Sequence, residues 1–342
     1  MNLRRIMPKA LILLSFALII LGAFLLVSGF FELDYGRNSV QNSDQTLISA
    51  SHPVGYNPPG DVIVAEPANI FDHDHDDYDC DCLFELNLVF DYELIPLNDH
   101  DISRGNLILI NHEHSYIPPD ESIFISVRDW QRPSFRTQGD VLLHESIIRP
   151  FIKMMDAFYA EVGTDQVAII SGFRGIERQR QILDENIARM GEAEARRWVS
   201  EPGHSEHHSG LAMDLGFYQD GAIRTFLGVG RTAWFSRNSY RFGFILRYPE
   251  NKFDITGIAH EPWHFRYVGL PHAYFIHQNN LVLEQYIAML TEHDRNNPFL
   301  GVFSGFEYEI FFTQEPHVMV PFDSDVDVSG TNIDGFIVTV RP

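Results

Sequence analysis

Two short segments gather residues able to hold a metal ion. PGHSEHHSGLAMD carries His204, His207, His208 and Asp214, and HEPWHF carries His260, Glu261 and His264. A catalytic zinc site takes three nitrogen or oxygen ligands and leaves a fourth position open for water. His207, Asp214 and His264 supply such a set. Glu261 stands beside a ligand, and a carboxylate placed there suits the role of general base, taking the proton of a water that the metal activates. One open site cannot use every histidine present, so His204, His208 and His260 are expected to be hydrogen-bonded neighbours or surface residues.

The elements that carry these residues follow from local pattern. Glu261 and His264 are three apart and would share a helix face, yet Pro262 between them argues against a helix interior, and on a flat strand they would point oppositely. The expectation is a strand end with a bulge or tight bend that turns both side chains the same way. Gly210 and Ala212 are small, as expected where backbone and metal come close. From Val141 to Val162, apolar residues recur at spacings of three and four, which predicts a helix with Pro150 as a local irregularity and Gly163 as its end. QVAIISGF reads as a buried strand, Glu177 to Val199 as a helical region broken near Gly191, and NLILINHEH as a strand. Short strands and turns fill Gly203 to Gly269, Leu281 to Glu292 predicts a third helix, and YEIFFTQ, HVMVPF and GFIVTV read as strands of a small C-terminal β appendage. The fold class is α+β: an antiparallel sheet bearing the metal site, with helices packed against it.

Composition bounds what the chain can be. With 342 residues, 45% hydrophobic and 21% charged, it can bury a real core. A net charge of −22 gains nothing from counterion release along a phosphate backbone, which disfavours nucleic acid as a partner. Cys80 and Cys82 are too close in sequence to staple distant parts of a fold. Ala10 to Phe31 is a run of 22 residues without a charge, preceded by Arg4, Arg5 and Lys9 and followed by Glu32 and Asp34. That arrangement predicts a retained membrane anchor over 1–33, with everything after it extracytoplasmic. Residues 34–60 form a Pro/Gly/Ser/Asn-rich tether and 61–103 an acidic segment, with 13 acidic residues and no Lys or Arg between Asp61 and Asp101. No ligand spacing in that segment matches a closed metal site, so it is read as a solvated loop. A catalytic domain over 104–278 and the helix and appendage over 279–342 complete the division.

SEHHSGLAMD fits the SxHxxGxAxD signature of zinc D,D-peptidases, and HEPWHFRYVG fits their ExWH segment. With SGFRGIERQ and FGFILRYP added, four motifs stand in the family's order, and the stretch from about Arg104 to Gln278 resembles the VanY-like D-alanyl-D-alanine carboxypeptidases. The closing SGTNIDGFIVTV also resembles a tail found in some members. The resemblance implies zinc ligands His207, Asp214 and His264, with Glu261 as catalytic base. It implies that Arg174 holds the peptide's terminal carboxylate or the developing oxyanion, a task suited to a guanidinium fork. Gln179 and Ser205 match positions that help bind the terminal D-alanine, and Trp263 is expected as a packing wall. Phe173 stands where tyrosine is frequent and Gly175 where serine is, which loosens the inference about substrate contacts.

The implied function is zinc-dependent removal of the terminal D-alanine from a peptidoglycan stem peptide. An L,D-carboxypeptidase acting on tetrapeptide stems is the alternative within the family, and a non-catalytic wall-binding or metal-sensing surface protein is the alternative outside it.

Overall fold

The computed structural model describes residues 92–118 and 121–341. The expected anchor, the tether and most of the acidic segment lie outside them. Among the described residues no helix is long and apolar enough to cross a membrane.

The central sheet has six strands, Arg136–Thr137 (β1), Val167–Ser171 (β2), Ala212–Gln219 (β3), Ala222–Thr225 (β4), Phe244–Leu246 (β5) and His264–Tyr267 (β6). They run in the order β1-β2-β3-β6-β5, with β4 also pairing β3. Every pairing is antiparallel except β1 with β2, which is parallel. The sheet is therefore mixed at one edge, where an all-antiparallel sheet was expected. Strand β3 is the hinge of the design: β2 pairs along one edge, while the other edge is shared by β6 over Ala212 to Asp214 and β4 over Gly216 to Gln219.

Alternation along these strands divides their two faces. Met213 and Leu215 of β3 and Phe265 of β6 join the core, where they meet helix α1, Glu145–Val162. That helix presents Ile147, Ile148, Phe151, Ile152, Met155 and Phe158 at the spacing of one face. It continues through Pro150 and ends at Gly163, whose φ of 74° and bond from its N–H to Tyr159 O make the left-handed stop that glycine favours. Helix α2, Ile176–Met190, ends at Gly191 as its sequence predicts.

The C-terminal strands Phe299–Phe303 (β7), Phe306–Thr313 (β8), Asp325–Gly330 (β9) and Phe336–Arg341 (β10) form a second antiparallel sheet in the order β7-β8-β10-β9. This sheet shares a core with the catalytic segment. Ile310 and Ile337 pack with Leu107, Leu109 and Ile245, and with helices α3, His272–Gln278, and α4, Leu283–Leu290.

NLILINHEH is not a strand. Leu107 to Ile110 are buried, but their backbone groups bond to scattered partners: Leu107 N–H to Ser329 Oγ, Leu109 N–H to Thr331 O, and the carbonyls of Asn106 and Ile108 to the Arg266 guanidinium. The apolar run signals burial correctly, and scattered side-chain and backbone groups satisfy the polar backbone that a ladder would otherwise have satisfied.

Phe151 is fully buried and meets Phe135 edge to face at 4.9 Å between ring centroids. Phe151→Ala should lower the unfolding free energy by about 3–5 kcal/mol, as truncation of a buried aromatic does. Urea unfolding followed by tryptophan fluorescence measures it.

Candidate active site

The register of the central sheet sets the site. Asp214 on β3 lies directly opposite His264 at the start of β6. Both project from the face opposite α1, and His264 Nδ1 comes 3.1 Å from Asp214 Oδ1. His207 enters from a 3₁₀ turn over Glu206–Ser209, just ahead of β3, with its Nε2 3.2 Å from Asp214 Oδ2. The donor atoms of His207, Asp214 and His264 all lie within 4.8 Å of one another, the one such group of three among the described residues. Ligands at zinc distances on a tetrahedral ion lie about 3.3 Å apart, so the side chains stand near the spacing that one ion requires. A divalent ion fits this donor set.

Hydrogen bonds on the far side of each ring choose which nitrogen faces Asp214. His207 Nδ1 donates to Gly172 O at 2.7 Å, leaving the Nε2 lone pair toward Asp214. A side chain at Gly172 would strike Leu142 O, so glycine alone fits at that acceptor. His264 Nε2 faces Glu206 Oε2 at 3.4 Å, leaving Nδ1 toward Asp214. Glu206 is fully buried, and burial pushes its carboxyl pKa up. Arg247 Nε at 2.7 Å and Arg266 Nη1 at 2.8 Å outweigh that effect and hold it far below the usual range. A permanent carboxylate thus stands behind His264.

The expected bend is present. Glu261 to Trp263 form a turn closed by His264 N–H to Glu261 O, and β6 begins at once. Glu261 Oε2 is brought 3.8 Å from His264 Nδ1. Burial raises the Glu261 carboxyl to about 8, with His264 opposing the rise and Asp214 adding to it. Burial pulls His264 down, yet its hydrogen bonds to Asp214 and Glu206 outweigh this and raise it to about 9. His207 is lowered to about 4, first by burial and then by the charge of Arg174.

Arg174 follows β2 and is held on several sides. Its Nη1 donates to Gln179 Oε1 at 2.8 Å and its Nη2 to Ser171 Oγ at 3.0 Å, with Asp214 Oδ2 3.5 Å away. Gln179, on α2, is fixed in turn by its Nε2 donating to Ser200 O. A cavity of about 170 Å³ opens onto Arg174, Gln179, Ser205, His207, Asp214, Glu261 and His264. The structure therefore brings all seven singled-out residues together. Trp263 also lines it and stacks on Trp198 at 6.5 Å, forming a wall.

His204, His208 and His260 stay out of the ligand group. Their Nδ1 atoms bond to the carbonyls of Asn111, Arg174 and Tyr248. Gly210 has a different use from the expected one. It closes the 3₁₀ turn at φ 65°, and a Cβ there would meet the Phe124 ring and His144 N, so it is protein packing that demands glycine.

Glu206, Arg247, Arg266, Tyr248 and Trp198 were missed by sequence reasoning. Tyr248 lines the cavity with its ring 4.9 Å from that of His264. The usable signal was two arginines inside apolar strand patterns, FILRYP and HFRYVG, since a buried arginine demands a buried carboxylate.

Residues 140–270 match the family model for VanY, D-alanyl-D-alanine carboxypeptidase. A D-alanyl-D-alanine carboxypeptidase of Enterococcus faecium is 33% identical over 255 residues, covering 72% of this chain and 78% of that one. A second, from Enterococcus faecalis (strain ATCC 700802 / V583), is 45% identical over 128 residues, 35% of this chain and 46% of the relative. The crystal structure of the vancomycin resistance D,D-dipeptidase VanXYg, in complex with a D-Ala-D-Ala phosphinate analog, superposes with a TM-score of 0.64 at 28% identity, covering 73% of this chain and 99% of the other. The stretch that builds the site is the stretch the family model matches, and the likeness to the E. faecium enzyme covers 72% of this chain: the chain belongs to the VanY D-alanyl-D-alanine carboxypeptidase family.

Proposed function

We propose that the chain is a zinc-dependent D,D-carboxypeptidase that removes the terminal D-alanine from peptidoglycan stem peptides. The observation that carries this reading is the convergence, in one cavity, of a three-ligand set, the buried carboxylate Glu261 and the guanidinium of Arg174. His207, Asp214 and His264 would hold the zinc ion, which would supply Lewis acidity for the carbonyl and the attacking water.

The chain's own residues do the rest. Arg174, charged and kept in place by Gln179 and Ser171, receives the free carboxylate of the substrate and so fixes which end of the peptide enters. Glu261, whose burial favours holding a proton, takes one from the attacking water at a carboxylate oxygen. It then returns it to the nitrogen of the leaving D-alanine. Trp198 and Trp263 exclude water along one wall, and Gln179 and Ser205 border the space for the terminal residue.

The proposed setting is a membrane surface facing the wall. The uncharged run from Ala10 to Phe31 and the basic residues before it support an N-terminal anchor with the enzyme extracytoplasmic. The full chain should pellet with membranes and be released by deletion of residues 1–33. Recovery of the deleted form in the membrane pellet would remove the anchor.

Incubation of pentapeptide and tetrapeptide stems with the enzyme, read by mass spectrometry, should show loss of one alanine from the pentapeptide alone. That loss should stop on addition of a zinc chelator. Shortening of the tetrapeptide alone would move the assignment to L,D-carboxypeptidase chemistry. Glu261→Gln should cut kcat by at least about a hundredfold, the lower end for loss of a general acid–base group, while zinc content is unchanged. Equal turnover by that variant would refute the assigned base.

His264 must lose its Nδ1 proton to act as a ligand, and that proton is held up to about pH 9. Zinc affinity, measured by chelator competition, should therefore weaken about tenfold for each pH unit below about 9, in proportion to the one proton displaced. An affinity flat with pH would show that His264 is already free.

A further inference from the structure

Behind the metal ligands runs a line of buried charges that ends outside the segment the family model matches. Glu284, on helix α4, meets Arg247 through both carboxylate oxygens, Oε1 to Nη2 at 2.6 Å and Oε2 to Nη1 at 2.9 Å. The third donor of the same guanidinium, Nε, bonds to Glu206 Oε1 at 2.7 Å. Arg266 adds a second cation to Glu206 Oε1. The other oxygen of Glu206 faces His264 Nε2 at 3.4 Å. Asn111 Nδ2 reaches Glu284 Oε1 at 3.4 Å and steadies the outer end.

We propose that Glu284 is a positioning residue for the metal centre, acting through Arg247 and Glu206 on His264. The two carboxylates and two guanidiniums sum to zero charge, −2 + 2 = 0. Arg247 and Arg266 have no exposed side-chain surface, so both depend on their protein partners. Take Glu284 away and the cluster holds a net charge of +1, with the Arg247 fork left unpaired. The nearest acceptor for that fork is Glu206, which already serves Arg247 Nε, Arg266 and His264. A carboxylate drawn fully onto two guanidiniums no longer accepts from His264 Nε2, and the ring loses the bond that fixes its orientation with Nδ1 aimed at Asp214. Helix α4 and the C-terminal sheet share one core, so the segment after 270 holds a ligand of the site as well as covering apolar surface.

This inference rests on the reading of His207, Asp214 and His264 as the metal ligands. Its test is the zinc dissociation constant of the full chain by chelator competition, with the visible absorption of the cobalt(II)-loaded protein as a report on ligand geometry. Glu284→Gln keeps the shape of the side chain but cannot pair both oxygens with the fork. It should weaken zinc binding about ten- to hundredfold and change the cobalt spectrum, the size of loss found when the partner of a metal-bound histidine is removed. Tyr286→Phe is the structural control: it lies on the same helix, and its hydroxyl bonds His272 Nδ1 at 2.9 Å, away from the line of charges. That variant should lose stability and keep both zinc affinity and spectrum. Should Glu284→Gln fail to fold, Arg247→Lys breaks the same bridge while keeping a cation beside Glu206, and the same weakening is expected. Wild-type affinity in the bridge variant, or equal weakening in the bridge variant and Tyr286→Phe, would overturn the proposal. A wild-type protein that takes up no metal would overturn the reading beneath it.

Discussion

The antiparallel pairing of β3 with β6 is the constraint on which the site depends. Because side chains alternate, the pair that sets Asp214 opposite His264 also sends Met213 and Phe265 into the core against α1. A slip of one residue would bury Asp214 and His264 and expose the hydrophobes, so the apolar face enforces the register that brings the two together. Burial of fully enclosed side chains such as Met213 and Phe265 is worth about 1.5–3 kcal/mol each, and that stabilisation acts directly on ligand geometry.

Charge is arranged around this pairing with unusual economy. The sheet face that carries Asp214 and His264 also carries Arg266, two residues along β6, and Arg247 joins it from beside β5. Two buried cations on one carboxylate keep Glu206 ionised, and Glu206 keeps one face of His264 occupied. Removing a single partner from such a buried cluster costs about 3–5 kcal/mol because an uncompensated charge is left inside. That cost is offset where His264 must be held in one orientation.

What was legible in the sequence was local. His207, Asp214 and His264, with Glu261 beside them, sit in two short segments whose spacing carries meaning, and Pro262 announced the bend that turns Glu261 and His264 together. Helix ends at Gly163 and Gly191 were equally local, since a left-handed or otherwise glycine-requiring stop follows from residue type. What was not legible depended on partners far away in the chain. Glu206 meets Arg247 41 residues on and Arg266 60 residues on, and nothing in SEHHSG names those partners. The NLILINHEH run failed differently: apolar pattern reports burial, and it is silent on whether a neighbouring strand or a set of side chains satisfies the backbone. Gly210 was read as room for a metal because the metal was the nearest reason in sequence, whereas Phe124 and His144 supply the reason in space.

The turn that bears His207 is laced to the turn that bears Arg174. Arg174 N–H bonds to His207 O, His208 Nδ1 to Arg174 O, and His207 Nδ1 to Gly172 O. Three such bonds over so few residues tie the two turns into one unit. On the proposed reading this piece is a ruler. One end grips the last carboxylate of the peptide and the other carries His207, so a shift in either turn is passed to the other. Where the peptide's end is held relative to His207 is then set by hydrogen bonds within the protein, before any side chain of the substrate has been read.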